Sequence, residues 1–123
     1  MNERSQVCLK RIYEPVDEND GARILVDRMW PRGVSKEQAS LTEWMKDIAP
    51  SAELRHWFDH NIEKWPSFQH LYFQELGQEH DAVARLMSYV RAGSPITLLY
   101  AAHDEKHNNA VALKEYLNTL GPW

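Results

Sequence analysis

Three stretches of the chain carry the apolar patterns that β-strands require. Residues 6–13 alternate between apolar and polar positions, with Val7 and Leu9 on the apolar side. Residues 22–27 and 96–101 are nearly continuous apolar runs, which is typical of strands that are buried in a sheet. The pattern predicts three strands, of which residues 96–101 form the clearest.

Apolar residues recur three or four positions apart between the second and third strands and again after the third, which predicts amphipathic helices. Ser35 and Gln38 form a capping box that predicts a short helical turn. Ser40 and Glu43 form a second box and predict another short helix, and Ser51 is a predicted N-cap. The predicted apolar faces consist of Leu41, Trp44, Met45 and Ile48, then Leu54, Trp57 and Phe58, then Phe68, Leu71, Tyr72 and Leu76, then Val83, Leu86, Met87 and Val90, and finally Ala110, Leu113 and Leu117.

The order of these elements predicts an α/β fold with a small, mostly parallel sheet of at least three strands and helices packed on it. Helices join the second and third strands, so these two strands should run parallel through a right-handed crossover. The position and direction of the first strand stay open. A length of 123 residues fits one domain, 1–123, and we expect Leu98, Leu99, Trp57 and Phe58 in its core.

The amino-acid composition limits the expected cellular location of the protein and the classes of partner that it can bind. The chain is 43% apolar and 26% charged, which is ordinary for a globular protein, and no apolar run approaches the ~18 residues of a membrane span. A single cysteine, Cys8, excludes an internal disulfide and favours a reducing cytoplasm. The net charge of −4 argues against general binding to nucleic acid or to an anionic membrane, although it permits a local basic site. The oligomeric state stays open.

Residues that can carry chemistry follow the second and third predicted strands. Parallel strands end at the same edge of a sheet, and ligands of α/β proteins bind at that edge. We therefore expect one ligand site there. Its candidate residues are Asp27, Arg28, Trp30 and Arg32 after one strand, and Tyr100, His103, Asp104, His107 and Asn108 after the other.

Arg28 and Arg32 could bind a phosphate or carboxylate through two oxygens each, helped by the N–H groups of the helix that begins at Ser35. Alternatively, Arg28 pairs with an acid such as Asp104 or Asp47 and only ties loops together. The two interpretations have similar weight.

Asp27 could act as a general base or could orient Arg28. The orienting role is favoured, because an adjacent arginine lowers the pKa of a carboxylate and makes it a poor base near neutral pH. Trp30 could stack on a ligand, but an indole packed in the protein is slightly favoured. Tyr100 ends a buried strand and could serve only as a packed ring.

His103 and His107 stand four residues apart, as in zinc-binding helices. The segment lies at a strand-to-helix corner, Asp104 occupies the position of the usual catalytic Glu, and no third ligand is evident. We therefore predict neither a metal nor a cofactor. His107 and Asn108 are better interpreted as hydrogen-bonding a ligand or a neighbouring loop, and Asp104 as an N-cap.

Three motifs together resemble the YeaO-like branch of the domain of unknown function 488 family. They are V-D-R-x-W-P-R-G-V-S-K from Val26, W-x-K-D-I-A-P-S-x-E-L-R-x-W-F from Trp44, and T-L-L-Y-A-A-x-D-E-x-H-N from Thr97. The resemblance extends over residues 6–118 and implies a small, intracellular, single-domain α/β protein without a settled activity. The wider family often has cysteines where this chain has Tyr100 and residues 108–110, so the resemblance argues against thiol or Cys/His metal chemistry.

The function favoured by the sequence is binding of a small anionic ligand, a phosphate or carboxylate, at the shared strand edge. Whether a reaction follows is left open, because no Ser-His-Asp, P-loop or G-x-G-x-x-G pattern is present. One alternative is a non-catalytic regulatory or nucleic-acid-binding module that uses Arg28, Arg32 and Lys36. A second is an interaction protein whose Trp-rich helices contact a partner.

Overall fold

A four-stranded sheet forms the centre of the computed structural model, which describes residues 7–121. Its strands in this part of the chain are β1 (Val7–Arg11), β2 (Ala22–Leu25), β3 (Glu43–Trp44) and β4 (Ile96–Tyr100). They run parallel in the order β1-β4-β2-β3, so β4 pairs with both β1 and β2. The predicted α/β class and the parallel pairing of β2 with β4 are confirmed. Gln6, the predicted start of the first strand, lies outside the described residues.

Five α-helices surround the sheet within the described range, namely α1 (Lys36–Ala39), α2 (Ala52–Phe58), α3 (Trp65–Leu76), α4 (His80–Arg91) and α5 (Asn109–Thr119). The side chains of Ser35, Ser51 and Asn108 cap α1, α2 and α5 by accepting a backbone N–H of the first turn. None of the helices described is long and apolar enough to span a membrane.

The helix predicted from Ser40 and Glu43 is wrong. Ser40 is the left-handed C-cap of α1, with φ 50°, so its side chain does not begin a new helix. The chain then extends, and Glu43 and Trp44 pair with Ile24 and Leu25 as β3. A 3₁₀ turn, Lys46–Ile48, follows. Strand pairing with β2 outweighs the local capping pattern, because it satisfies backbone groups that a short helix would leave exposed.

Successive residues of β4 face opposite sides of the sheet, as the pleat requires. Leu98 and Tyr100 belong to the main core beneath the helices, and Leu99 belongs to a smaller core on the other face. Leu98, Leu99 and Phe58 are buried, as predicted. Trp57 is not, since 41% of its surface is exposed. The α2 face that packs inward carries Leu54 and Phe58, while the ammonium of Lys64 lies 4.9 Å from the centre of the Trp57 ring.

A buried ion cluster lies beside the start of β2. The Asp20 carboxylate accepts hydrogen bonds from Arg23 (2.5 Å) and Lys10 (2.8 Å). Only 4% of the Arg23 surface is exposed, and its guanidinium also donates to the Ala39 carbonyl. Burial alone would raise the pKa of Asp20, but hydrogen bonds from Lys10, the Asp17 backbone and Arg23 outweigh it and hold the pKa below 3.8. The cluster joins β1, β2 and α1.

Candidate functional site

A cavity of about 350 Å³ opens at the carboxyl-terminal ends of β2 and β4. The segment after β2, helix α2 and the corner between β4 and α5 form its walls. Its volume falls in the range of small-molecule sites. Five of the lining residues carry or can carry positive charge: Arg28, Arg55, His60, His103 and His107. The other polar residues of the lining are Asp27, Asn108 and Asn109.

Asp27 connects the end of β2 with the corner between β4 and α5. Its carboxylate accepts the N–H of Ala101 and the side-chain amide of Asn109, each over 3.0 Å. Burial raises the pKa of Asp27, and the hydrogen bonds from Asn109 and Ala101 and the charge of Arg55 oppose the rise only in part. The expectation that Arg28 lowers this pKa is therefore wrong.

Arg28 forms no ion pair with Asp27. Its guanidinium donates to the carbonyls of Ala49 and Pro50, each over 3.2 Å, and so ties the end of β2 to the start of α2. Neither Asp104 nor Asp47 is its partner, and no carboxylate in the described chain pairs with Arg28 or Arg55. Arg28 and Arg55 therefore bring positive charge to the cavity without a carboxylate in ion-pair contact, although the charge of Arg55 also acts on the Asp27 carboxylate.

His107 and Asp104 form a side-chain pair at the opposite wall. Nδ1 of His107 lies 3.0 Å from Oδ2 of Asp104, and the ring of His107 meets Trp65 edge to face. The backbone N–H of Lys106 lowers the pKa of Asp104 most, partial burial opposes it, and contacts from His107 lower it further. Beside an ionised Asp104, a neutral His107 ring carries its proton on Nδ1 and presents Nε2 as an acceptor. His103 is exposed at the rim.

Asn108, rather than Asp104, is the N-cap of α5. Its side chain accepts the N–H of Val111 over 2.9 Å and donates to the Asp104 carbonyl over 2.8 Å. Asp104 instead closes the preceding turn by accepting the N–H groups of Lys106 and His107. The first turn of α5 therefore borders the cavity, and its positive dipole end favours an anion there.

The remaining candidates from the sequence lie outside the cavity lining. Trp30 packs edge to face with Trp44 and donates to the Val34 carbonyl over 2.6 Å, so it is a packed indole on the smaller core. Arg32 is exposed on the loop after β2 and does not reach the cavity. Tyr100 is 3% exposed at the end of β4, and burial raises the pKa of its hydroxyl.

Sequence reasoning did not select Arg55, His60, Phe58 or Phe68 as site residues, although all four line the cavity. A usable signal was the spacing of Arg55 and Phe58, since residues three apart share one face of a helix. His60 had no such signal. It follows another left-handed residue, Asp59, and takes φ 57° at the end of α2.

Two consecutive non-glycine residues with positive φ are uncommon and mildly strained. In residues 7–121, no group of three or more His, Cys, Asp or Glu side chains is arranged to hold a metal ion.

Comparison with known proteins identifies the family of this chain. A family model described as the inactive DUF488-N3 subclade matches residues 6–120. The chain belongs to this DUF488 subclade. The match extends over the strands, the helices and the cavity described above.

Two relatives of this DUF488 chain bear names that describe them as uncharacterized proteins. It is 40% identical over 111 residues to the uncharacterized protein YeaO of Escherichia coli, a match that covers 90% of this chain and 96% of the relative. It is 36% identical over 119 residues to the uncharacterized protein Rv3073c of Mycobacterium tuberculosis, covering 96% and 98% of the two chains. No solved structure matches the chain. The resemblance to a YeaO-like DUF488 protein is confirmed.

Proposed function

We propose that the protein binds a small anion, a carboxylate or a phosphate, in the cavity at the ends of β2 and β4. The observation that carries the proposal is the pairing state of Arg28 and Arg55, which line one cavity without an ion-pair partner among the described residues. A guanidinium that lines a cavity can bind two oxygens of a carboxylate or a phosphate at once, and such charge-assisted contacts are strong.

Binding without turnover is the form of this proposal that we favour. The description of the matched subclade as inactive supports it. At the positions where the wider family often has cysteine, this chain has Tyr100, which is buried, and Asn108, which caps α5. Neither side chain can act as a thiol nucleophile. Asp27 and His107 nevertheless supply two groups that can exchange protons, so a reaction assay belongs beside the binding assay. A cytoplasmic location remains a prediction from the sequence.

Isothermal titration with inorganic phosphate, sulfate and acetate tests the proposal. The wild type should bind at least one of them, and Arg55→Gln should weaken that binding by about ten- to a hundred-fold, the value of a charge-assisted contact. Arg55 is exposed and its side chain has no hydrogen-bond partner among the described residues, so the substitution should leave the fold intact.

Arg32→Gln is the matched control, because Arg32 is an exposed arginine outside the cavity. It should leave the affinity unchanged. If Arg32→Gln weakens binding and Arg55→Gln does not, the anion lies at the loop before Ser35, as the sequence alone suggested. If no anion binds the wild type at millimolar concentration, the proposal is wrong and the guanidiniums serve the structure.

A further inference from the structure

We infer that the ligand of this cavity is an acid that carries one acidic group and one apolar, preferably aromatic, group. This inference rests on the proposed function and specifies the class of molecule that the same site takes. It follows from three features of the cavity: an apolar wall, the placement of that wall relative to Arg55, and the single carboxylate of Asp27.

Phe58 and Phe68 form the apolar wall. Only 6% and 2% of their surfaces are exposed, and their ring centres lie 4.5 Å apart, yet both rings line the cavity. Met29, which is 61% exposed, adds a flexible apolar side chain from the segment after β2. An inorganic anion would gain nothing from such a wall, whereas burial of an apolar group against it is favourable.

The size of the cavity agrees with this composition. A volume of about 350 Å³ corresponds to roughly ten water molecules at the density of the liquid. A bare phosphate or acetate ion would fill only a small part of it. A ligand with a ring or a short aliphatic chain beside its acidic group would fill the remainder and displace the water.

The positions of the charged and apolar side chains define how the ligand is oriented in the cavity. Arg55 and Phe58 are three residues apart on α2 and line the cavity together. An acid held by Arg55 therefore has its substituent next to Phe58. The rings of Phe68 and His107 both line the cavity, and Trp65, which lies outside the lining, contacts both of them.

Asp27 limits the ligand to one acidic group. Its carboxylate shares the cavity with Arg28 and Arg55 and is held in place by Ala101 and Asn109. A second acidic group on the ligand would lie near this carboxylate, in a partly dehydrated space where repulsion is strong. The cavity thus suits a carboxylic acid or a phosphate monoester with an apolar substituent.

Matched ligand pairs test the inference by isothermal titration on the wild-type chain. The pairs are phenyl phosphate with inorganic phosphate, and phenylacetate with acetate, and neutral phenylacetamide serves as the uncharged reference. The phenyl-bearing member of each pair should bind about ten-fold more tightly or better, which corresponds to burial of its ring. The stronger pair distinguishes a phosphate ester from a carboxylic acid as the preferred source of the acidic group.

Met29→Ser separates the two parts of the site, because Met29 is exposed and its loss should not disturb the core. Met29→Ser should weaken the binding of phenyl phosphate several-fold and leave the affinity for inorganic phosphate unchanged. Arg55→Gln should weaken the binding of both. Equal affinities within each pair would overturn this inference and leave the proposed anion site standing. If phenylacetamide binds as tightly as phenylacetate, or if no acid binds, the acidic group is not recognised and both proposals fail.

Discussion

The side-chain amide of Asn109 donates to Oδ1 of Asp27 over 3.0 Å and joins the first turn of α5 to the end of β2. The same amide also donates to the Val26 carbonyl over 2.9 Å. Neighbouring residues in the sequence do not supply these contacts, because 82 positions separate Asn109 from Asp27. The carboxylate at the centre of the candidate site is therefore held by the tertiary fold, and its protonation should report on that fold.

The first prediction concerns the pH dependence that Asp27 contributes to stability. Burial raises its folded pKa above 3.8, so the folded protein holds this proton more tightly than the unfolded chain does. The stability that the protonated Asp27 contributes is therefore fully present below about pH 3.8 and is lost as the pH rises through the pKa of Asp27 in the folded protein. Relative to Asp27→Asn, the wild type should lose unfolding free energy over that interval and then level off.

Urea denaturation of both proteins at a series of pH values measures this difference. Taking the difference removes the contributions of other acids, such as Asp20, that titrate in both proteins. The two proteins should be closest in stability at the acid end, where the protonated Asp27 resembles the amide. A wild-type advantage that grows with pH would show that the pKa is lowered instead.

The second prediction concerns the ion cluster of Asp20 and Arg23. Asp20→Asn leaves the buried Arg23 guanidinium without an anionic partner, which should cost about 3–5 kcal/mol. The lowered pKa of Asp20 means that its contribution is present above pH 3.8 and is lost as the pH falls through the folded pKa. Glu43→Gln is the control, since its partner Arg85 has a 64% exposed side chain, and it should cost much less. Chemical denaturation that gives equal losses for the two variants would contradict the prediction.

The third prediction concerns the left-handed residues at the rim of the cavity, Asp59 (φ 46°) and His60 (φ 57°). Glycine adopts this conformation without steric cost, so His60→Gly and Asp59→Gly should each stabilise the protein by about 1 kcal/mol. Only His60 lines the cavity, so only His60→Gly should also weaken phosphate binding. Paired melting and titration experiments measure both effects. If His60→Gly leaves the affinity intact, the left-handed turn serves the path of the chain and not the ligand.

The fourth prediction concerns the central strand. Leu98 is 0% exposed in β4, so Leu98→Ala should lower the free energy of unfolding by about 2–5 kcal/mol. Leu71→Ala provides the comparison, because Leu71 is 37% exposed on α3, and its loss should stay under about 1 kcal/mol. Equilibrium denaturation in urea measures both. A small effect at Leu98 would mean that β4 is not the buried strand described here.

Much of the fold could be predicted because its signals are local. The apolar runs of β2 and β4 indicate strands on their own, and Ser35 and Ser51 indicate helix starts from hydrogen bonds within one turn. The helix expected after Ser40 failed for a non-local reason. The backbone hydrogen-bonding groups of Glu43 and Trp44 pair with β2, and no pattern within residues 40–48 indicates that pairing.

The sequence by itself determined the α/β class, the parallel pairing of β2 with β4 and the edge where the candidate site lies. It also identified Asp27, Arg28 and His107 as residues that share one place, since strand ends alone bring them there. Only the tertiary structure decided that Arg55 faces this cavity while Arg32 lies outside it, and that Asp27 is held by Asn109 and not by Arg28. These facts depend on how α2 and α5 pack on the sheet, and helix packing is set by the fit of distant side chains that no short stretch of sequence contains.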